Sequence, residues 1–310
     1  TDRCNLRCTY CLPGDVEFPF GDRAYLSAGE IETIVGALVR LGIRRVRLTG
    51  GEPLVRRDIL EIARRIKALP GVDNLALSTN GTELERLAPA LKGAGVDRVN
   101  ISLDSLDPEV FREITRRGDL QQVWRGVEAA LEVGLHPVKL NTVLLQGSEA
   151  DVERLAALTL DRPLAVRFIE FMRTEVNHHL ASNELPLADA VRDRLEARFG
   201  RLEPAEPAGP RTGPAKPFRF PGAVGTVGFI TPLSHTFCAD CNRLRLTARG
   251  ELRLCLFGDR VHPLRHLLAG PDPDGTLEAE ILRVLEDKPA EHMLRQGNYG
   301  NLASFMQIGG

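Results

Sequence analysis

The sequence predicts an α/β fold: an incomplete (β/α)6 TIM-like barrel followed by a smaller C-terminal α+β region. Three observations predict it. Strand-like and helix-like segments alternate from about residue 44 to residue 199, the alternation stops at a proline-rich stretch, and only short strands and two helices follow. A doubly wound open sheet is the other arrangement that such units adopt.

The elements follow in order. Residues 44–49 read as a short strand, Gly50-Gly51 as a turn, and Pro53 as the first turn of a helix running through residue 69. Residues 74–79 are strand-like, 83–94 helical and 97–103 strand-like. Helices start at Pro108 and near Leu120, the second ending near Val133, and strands at 137–145 and 164–171 complete the set. Five or six such units fit an incomplete barrel, whose ligand loops lie at the carboxyl ends of its strands. The pattern breaks after Gly200. Pro204, Pro207, Pro210, Pro214 and Pro217 mark residues 203–217 as a linker or long surface crossing. Strands at 218–220, 225–230, 243–247 and 251–254 and helices near 264–268 and 277–286 form the last region. The expected division is a barrel at 1–202, a linker at 203–217 and a C-terminal region at 218–310. No repeat of fixed period is present.

A chain of 310 residues, 43% apolar and 26% charged, can bury a large core as one or two domains. Its net charge of -2 argues against nucleic-acid binding through overall charge. No run is apolar enough for a membrane span, and no secretory signal is visible. The opening Thr1-Asp2-Arg3-Cys4 has no Met, which implies residues before Thr1. The cysteine usage fits metal binding in a cytoplasmic protein better than disulfides.

The six cysteines form two triads. Cys4, Cys8 and Cys11 are spaced C-x3-C-x2-C; Cys238, Cys241 and Cys255 are spaced C-x2-C-x13-C. Three thiolates are one short of closing a tetrahedral zinc or iron–sulfur site, so each triad leaves a position open. Spacing alone leaves zinc as an alternative, with a histidine such as His235 or His262 as fourth ligand at the second triad.

The first triad, with Tyr10 just before its last cysteine, resembles the cluster loop of the radical S-adenosylmethionine (SAM) enzymes. Leu48-Thr49-Gly50-Gly51-Glu52-Pro53 is similar to that family's GGEP motif, although alone it reads as a tight turn before a helix. Cys238-Ala239-Asp240-Cys241-Asn242-Arg243-Leu244-Arg245-Leu246-Thr247 resembles the second-cluster motif of the GTP 3′,8-cyclase family, the radical SAM proteins A of molybdenum-cofactor biosynthesis. Gly228-Phe229-Ile230-Thr231-Pro232, Leu252-Arg253-Leu254-Cys255-Leu256-Phe257 and the terminal Gly309-Gly310 fit the same family, so the resemblance spans nearly the whole chain.

The resemblance implies the rest. It implies two [4Fe-4S] clusters, one on each triad, with SAM on the first and the guanine of GTP on the second. Tyr10, Gly51, Ser102 and Met172 match SAM-contacting positions. Arg45, Arg47, Ser78, Lys139, Arg167, Arg243, Leu244 and Arg245 match the GTP side, with Arg243 and Arg245 nearest the chemistry. Each of these also has a plainer reading, as a solvated strand residue, a strand-end turn or core packing. Gly309 and Gly310 match a tail that reaches the active site. The implied reaction converts GTP to (8S)-3′,8-cyclo-7,8-dihydroguanosine 5′-triphosphate. The implied partners are an electron donor such as flavodoxin or ferredoxin and a downstream molybdopterin-precursor synthase, with a homodimer as a compatible assembly. Some positions depart from the family. Arg45 stands where Lys is common, Ser78 where Thr is usual, and 173–185, with His178 and His179, does not match. The strand before the first triad, with its GTP-touching arginine, is absent from the sequence. Another radical SAM enzyme with an auxiliary cluster, such as a peptide maturase, is the alternative.

Overall fold

The computed structural model describes residues 1–12, 25–180, 185–206, 213–292, 294 and 304–307. In chain order its strands are β1 (Arg45–Leu48), β2 (Asn74–Thr79), β3 (Arg98–Ser102), β4 (Val138–Leu144), β5 (Leu164–Glu170), β6 (Glu203–Pro204), β7 (Lys216–Arg219), β8 (Thr226–Ile230), β9 (Arg245–Leu246), β10 (Glu251–Arg253) and β11 (His262–Pro263). Its helices are α1 (Ala28–Arg40), α2 (Ile59–Ala68), α3 (Leu84–Gly93), α4 (Pro108–Thr115), α5 (Leu120–Glu132), α6 (Glu149–Asp161), α7 (Ala188–Phe199) and α8 (Pro273–Leu285).

The main sheet runs β1-β2-β3-β4-β5-β8-β7-β6 and does not close. Neighbours from β1 through β5 to β8 pair in parallel, while β7 and β6 add an antiparallel edge. This is the expected six-stranded partial barrel. Its sixth strand is Thr226–Ile230, which the sequence reading had assigned to the C-terminal region. Lys216–Arg219 likewise joins the main sheet, and Glu203–Pro204 of the expected linker pairs with it. Pro204 and Pro217 are tolerated because both lie near the sheet edge, where a missing N–H breaks fewer ladder bonds.

Register separates the two faces of the sheet. In-register neighbours share a face, and alternate residues along a strand do too. One face carries Leu75, Leu77, Val99, Ile101, Val138, Leu140, Val166, Phe168 and Val227, all buried in one core with α3, α5 and α6. The other carries the rows Arg47–Ala76–Arg98, Ser78–Asn100–Lys139–Ala165–Thr226 and Ser102–Asn141–Arg167–Gly228. The helices take the apolar face, so the polar rows line the inside. A TIM barrel normally fills its interior with bulky branched side chains. Here small, polar and charged residues face the interior, the lumen side of the partial barrel.

Three helices were not read from the sequence: α1, α6 and α7. The first had a local signal. Ser27 accepts from the Glu30 backbone N–H at 3.2 Å, and Glu30 accepts from the Ser27 N–H at 2.7 Å, a capping box. Residues 53–69 are not one helix. Pro53–Val55 is a single 3-10 turn, Arg56 is extended, and α2 starts at Ile59. The short helix near 264–268 is the 3-10 turn Arg265–Ala269, and the final helix starts earlier than expected, at Pro273 behind its cap Asp272.

The C-terminal β11-β10-β9 sheet and α8 pack on α1, whose other side joins the barrel core through Ala28, Val35 and Val39. Ile34, Ala37 and Leu38 of α1 meet Leu252, Leu277, Ile281 and Val284 in a second core. Arg265–Glu30 at 2.9 Å and Arg249–Asp2 at 2.9 Å span the same junction. One of the three helices not read from the sequence, α1, is thus the one on which the region with the second cysteine triad packs.

Candidate active site

The chain reaches the first triad beneath the glycine turn. The Gly51 N–H donates to the Thr1 carbonyl at 2.9 Å and the Glu52 N–H to the Arg3 carbonyl at 2.7 Å. A Cβ on Gly50 would lie 2.1 Å from the Thr1 oxygen, and one on Gly51 2.4 Å from the Arg3 oxygen. Gly50 also has φ +142°. Both glycines are therefore required by the strand-end turn itself, which lets the segment before Cys4 lie flat across it. Glu52 is fully buried. Its carboxylate accepts from the Leu54 N–H at 2.9 Å, the Thr79 hydroxyl at 2.8 Å and the Asn80 N–H at 2.6 Å, clamping the end of β1 to the end of β2. Burial pushes its pKa up to about 7. Asn80 then donates to Asn5 at 2.8 Å, inside the cysteine loop.

Cys4, Cys8 and Cys11 are free thiols in this loop. Burial first, and then mutual repulsion with Cys4, pushes the Cys11 thiol up to about 12. Burial, followed by the charges of Asp104, Cys11 and Cys4, raises Cys8 well above its ordinary value. Such thiols ionise only beside a cationic group, so the donor set fits a thiolate-bound cluster. Tyr10 turns its hydroxyl onto Asp104 Oδ2 at 2.7 Å, and its carbonyl accepts from Asn177 at 2.9 Å. Asp104 is itself buried, and burial raises its pKa to about 6. Ser102 is exposed at the end of β3. Met172 packs in a small apolar cluster with Phe257 and Leu294.

Below this loop the lumen is cationic. Lys139 is 6% exposed, and burial, with Arg167, Arg98 and Arg47 adding, lowers its pKa to about 6. Burial and the same neighbours, Arg47 and Arg98, bring Arg167 down to about 10. Arg47 is exposed along β1, and partial desolvation of its guanidinium, followed by repulsion from Arg243, lowers its pKa. Ser78 accepts from Asn100 at 3.1 Å. Lys139, Arg167 and Arg245 have no ion-pair partner among the described residues. Arg98 belongs to the same group and was given no role in the sequence reading. The alternation Arg98-x-Asn100-x-Ser102 marks a polar face of β3, and only the pairing of Arg98 with Ala76 of β2 places that face inside.

The second triad faces this lumen. Cys238 opens a 3-10 turn (Cys238–Asp240), the Cys241 N–H donates to the Cys238 carbonyl at 3.0 Å, and Cys255 follows β10. Cys241 and Cys255 both act on Arg245, whose pKa falls to about 10 mainly through burial and then through Arg243. Burial raises the Cys241 thiol, but Arg243, by its N–H, its charge and a side-chain hydrogen bond, brings it below the ordinary value. The Arg243 guanidinium stacks 5.1 Å from the Phe237 ring, and Leu244 packs against the second core. Lys288 donates to the Arg243 carbonyl at 3.0 Å and the Leu254 carbonyl at 2.6 Å, pinning the two cysteine loops together. Glu170, at the end of β5, accepts from the Leu233 N–H at 2.9 Å and the Ser234 N–H at 3.0 Å, holding the loop that leads to Cys238. Three thiols among arginines fit an anionic cluster. His235 instead faces Asp189, Nε2 to Oδ2 2.9 Å. Among the described residues no three His, Cys, Asp or Glu side chains gather as a single-ion site. Arg45 opens β1 and repels Arg98. Gly309 and Gly310 lie outside the described residues.

Comparison with known proteins follows the same division. Residues 1–159 match the radical SAM superfamily, and residues 164–294 match the Molybdenum Cofactor Synthesis C family. A GTP 3′,8-cyclase of Pelotomaculum thermopropionicum is 47% identical over 314 residues, covering 100% of this chain and 95% of its own. The chain belongs to the GTP 3′,8-cyclase family. Family members from Moorella thermoacetica and Pseudomonas entomophila are 42% and 44% identical, again over 100% of this chain and over 95% and 93% of theirs. Full-length similarity to cyclases displaces the peptide-maturase alternative. Streptococcus suis SuiB bound to S-adenosylmethionine shares the fold, with a TM-score of 0.61 at 14% identity over 89% of this chain and 65% of that one. Methylornithine synthase does so with a TM-score of 0.51 at 20% identity over 65% of this chain and 61% of that one. As a radical SAM member of the GTP 3′,8-cyclase family, the chain is an enzyme that uses SAM and a [4Fe-4S] cluster. Among the described residues no helix is long and apolar enough to cross a membrane.

Proposed function

We propose that the cation-lined lumen is where this chain converts GTP to (8S)-3′,8-cyclo-7,8-dihydroguanosine 5′-triphosphate, the first step of molybdenum cofactor biosynthesis. One observation carries the placement: Arg47, Lys139, Arg167, Arg243 and Arg245 lie close enough to repel one another, and Lys139, Arg167 and Arg245 have no ion-pair partner among the described residues. Packing cations without a counter-charge is costly, and a triphosphate supplies about four negative charges in a form that guanidinium forks match.

In this reading Cys4, Cys8 and Cys11 hold the cluster that binds SAM, near Gly51, Tyr10, Ser102 and Met172. Cys238, Cys241 and Cys255 hold a second [4Fe-4S] cluster at the guanine end of GTP. When bound, the first cluster and SAM would supply a 5′-deoxyadenosyl radical to take the ribose 3′ hydrogen; C3′ would then add to guanine C8, and one electron from the donor with one proton would complete the 7,8-dihydro ring. The chain's own task is positioning. Lys139, Arg167 and Arg47, with Arg45 and Ser78 near the strand starts and ends, fix the triphosphate. Arg243 and Arg245 sit between the second cysteine loop and the phosphates. A flavodoxin- or ferredoxin-type donor delivers electrons in the cytoplasm, and the product passes to a molybdopterin-precursor synthase; a homodimer is compatible with this. The test is anaerobic incubation with SAM, GTP and dithionite. 5′-Deoxyadenosine formed only when GTP is present supports the reading; its formation at the same rate without GTP overturns it.

A further inference from the structure

Arg98 is the cation of the lumen that neither the sequence motifs nor the family resemblance singles out. It is 4% exposed. Its Nε donates to Asn74 Oδ1 at 2.7 Å, which fixes the direction of the guanidinium. Its Nη1 is buried and has no hydrogen-bond partner. A buried guanidinium nitrogen left unpaired is expensive, and native chains satisfy such groups with protein, water or ligand. Among the described residues no carboxylate lies within ion-pair distance of it: Asp97 favours its charge from further off while paired with Lys67, and Arg47 and Arg45 oppose it.

Register gives its level in the lumen. Arg98 shares a row with Arg47 and Ala76, one row nearer the strands' amino ends than Asn100 and Lys139 and two rows from Ser102 and Arg167. The first cysteine loop sits at the carboxyl ends. If the reaction needs the ribose beside that loop, the phosphates extend the opposite way, toward Arg98.

We propose that Arg98 binds the terminal phosphate of the substrate's triphosphate and makes the enzyme select nucleoside triphosphates over diphosphates. The proposal rests on the placement of GTP given above. Asn74 is then a positioning residue, since it presents the free edge of the guanidinium to the lumen.

The experiment measures dissociation constants of GTP and GDP for the anaerobically reconstituted enzyme, wild type and Arg98→Gln, together with melting temperatures. In the wild type, GTP should bind more tightly than GDP. In Arg98→Gln the GTP constant should weaken about tenfold to a hundredfold, as for loss of one charge-assisted contact, while the GDP constant stays within about twofold. An unchanged GTP-to-GDP ratio in a folded Arg98→Gln overturns the proposal and leaves the GTP site standing. A wild type that binds neither nucleotide overturns the GTP placement itself. Should Arg98→Gln fail to fold, Arg98→Lys and Asn74→Ala carry the same test: a lowered ratio in either supports the proposal, and the wild-type ratio in both overturns it.

Discussion

The Ser304 hydroxyl donates to the backbone carbonyl of Cys11, across 293 positions of sequence. The next residue, Phe305, meets the Phe257 ring edge-on, with centroids 6.2 Å apart and planes at 86°. Phe257 lies two residues beyond Cys255. One short turn, Phe305–Gln307 with Ser304 before it, therefore touches both cysteine loops.

Removing that contact loosens the turn. Ser304→Ala deletes the bond to Cys11 and the acceptor of the Met306 N–H, which lies 3.2 Å from Ser304 Oγ. We expect faster hydrogen exchange at the Met306 amide and a loss of about 1 kcal/mol in local stability. An unchanged exchange rate would show that the turn is held by its apolar contacts alone.

Lys139 should take up a proton with GTP. Its free pKa of about 6 leaves it mostly neutral at pH 8, because burial and three cationic neighbours oppose its charge. A triphosphate beside it favours the ammonium and raises the bound pKa. Protons then bind with the nucleotide, and affinity falls as pH rises from about 6 toward the bound value, by up to roughly tenfold per pH unit. Calorimetry in two buffers of different ionisation enthalpy reads the uptake directly, and Lys139→Met should abolish it. Equal enthalpies in both buffers for the wild type would contradict the prediction.

Glu52→Gln should destabilise the enzyme although it is nearly isosteric. All three groups facing the carboxylate are donors, so a Gln amide turns its own N–H toward one of them. We expect a cost of about 1–3 kcal/mol in thermal or urea unfolding. Because burial raises the Glu52 pKa from 4.5 to about 7, the folded state holds this proton more tightly than the unfolded chain. Its contribution is therefore largest below about pH 4.5 and diminishes as pH rises through about 7. A melting temperature equal to wild type would remove Glu52 as the clamp between β1 and β2.

Lys288→Met tests the second cysteine loop without touching a cysteine. It removes two hydrogen bonds from an ammonium to the Arg243 and Leu254 carbonyls. On the proposed two-cluster reading, iron content should fall from about eight toward about four per chain while SAM binding persists. Full iron in Lys288→Met would mean that the α1–α8 core alone sets the loop geometry.

Much of this was legible in the sequence, and the reasons differ by residue. Strand β3 was read because Val99 and Ile101 alternate with polar neighbours, and both cysteine triads because their spacing is local. Arg98 was overlooked because nothing within its own strand tells a lumen arginine from a solvated one; only pairing with β2 and β4 does. The sixth strand was misplaced for a related reason. Thr226–Ile230 follows a proline-rich segment in sequence, while its parallel partner β5 lies before it, and only register links them. Glu52 was visible within its motif, but its three donors come from two elements. Lys288 and Ser304 are single polar residues whose partners lie far away in sequence, and no pattern announces them.

The two faces of the main sheet have a consequence for how such a protein changes over time. The apolar residues that hold the strands to their helices all point outward, and the small, polar and cationic residues of the interior occupy the alternate positions. An exchange at Ala165 changes the interior face without touching the apolar residues of the outer core. Selection can therefore alter the interior at such positions separately from the packing of strands on helices, whereas Ala76, fully buried, and Gly228, whose Cβ would lie 3.2 Å from the Lys216 carbonyl, leave little room for a larger side chain.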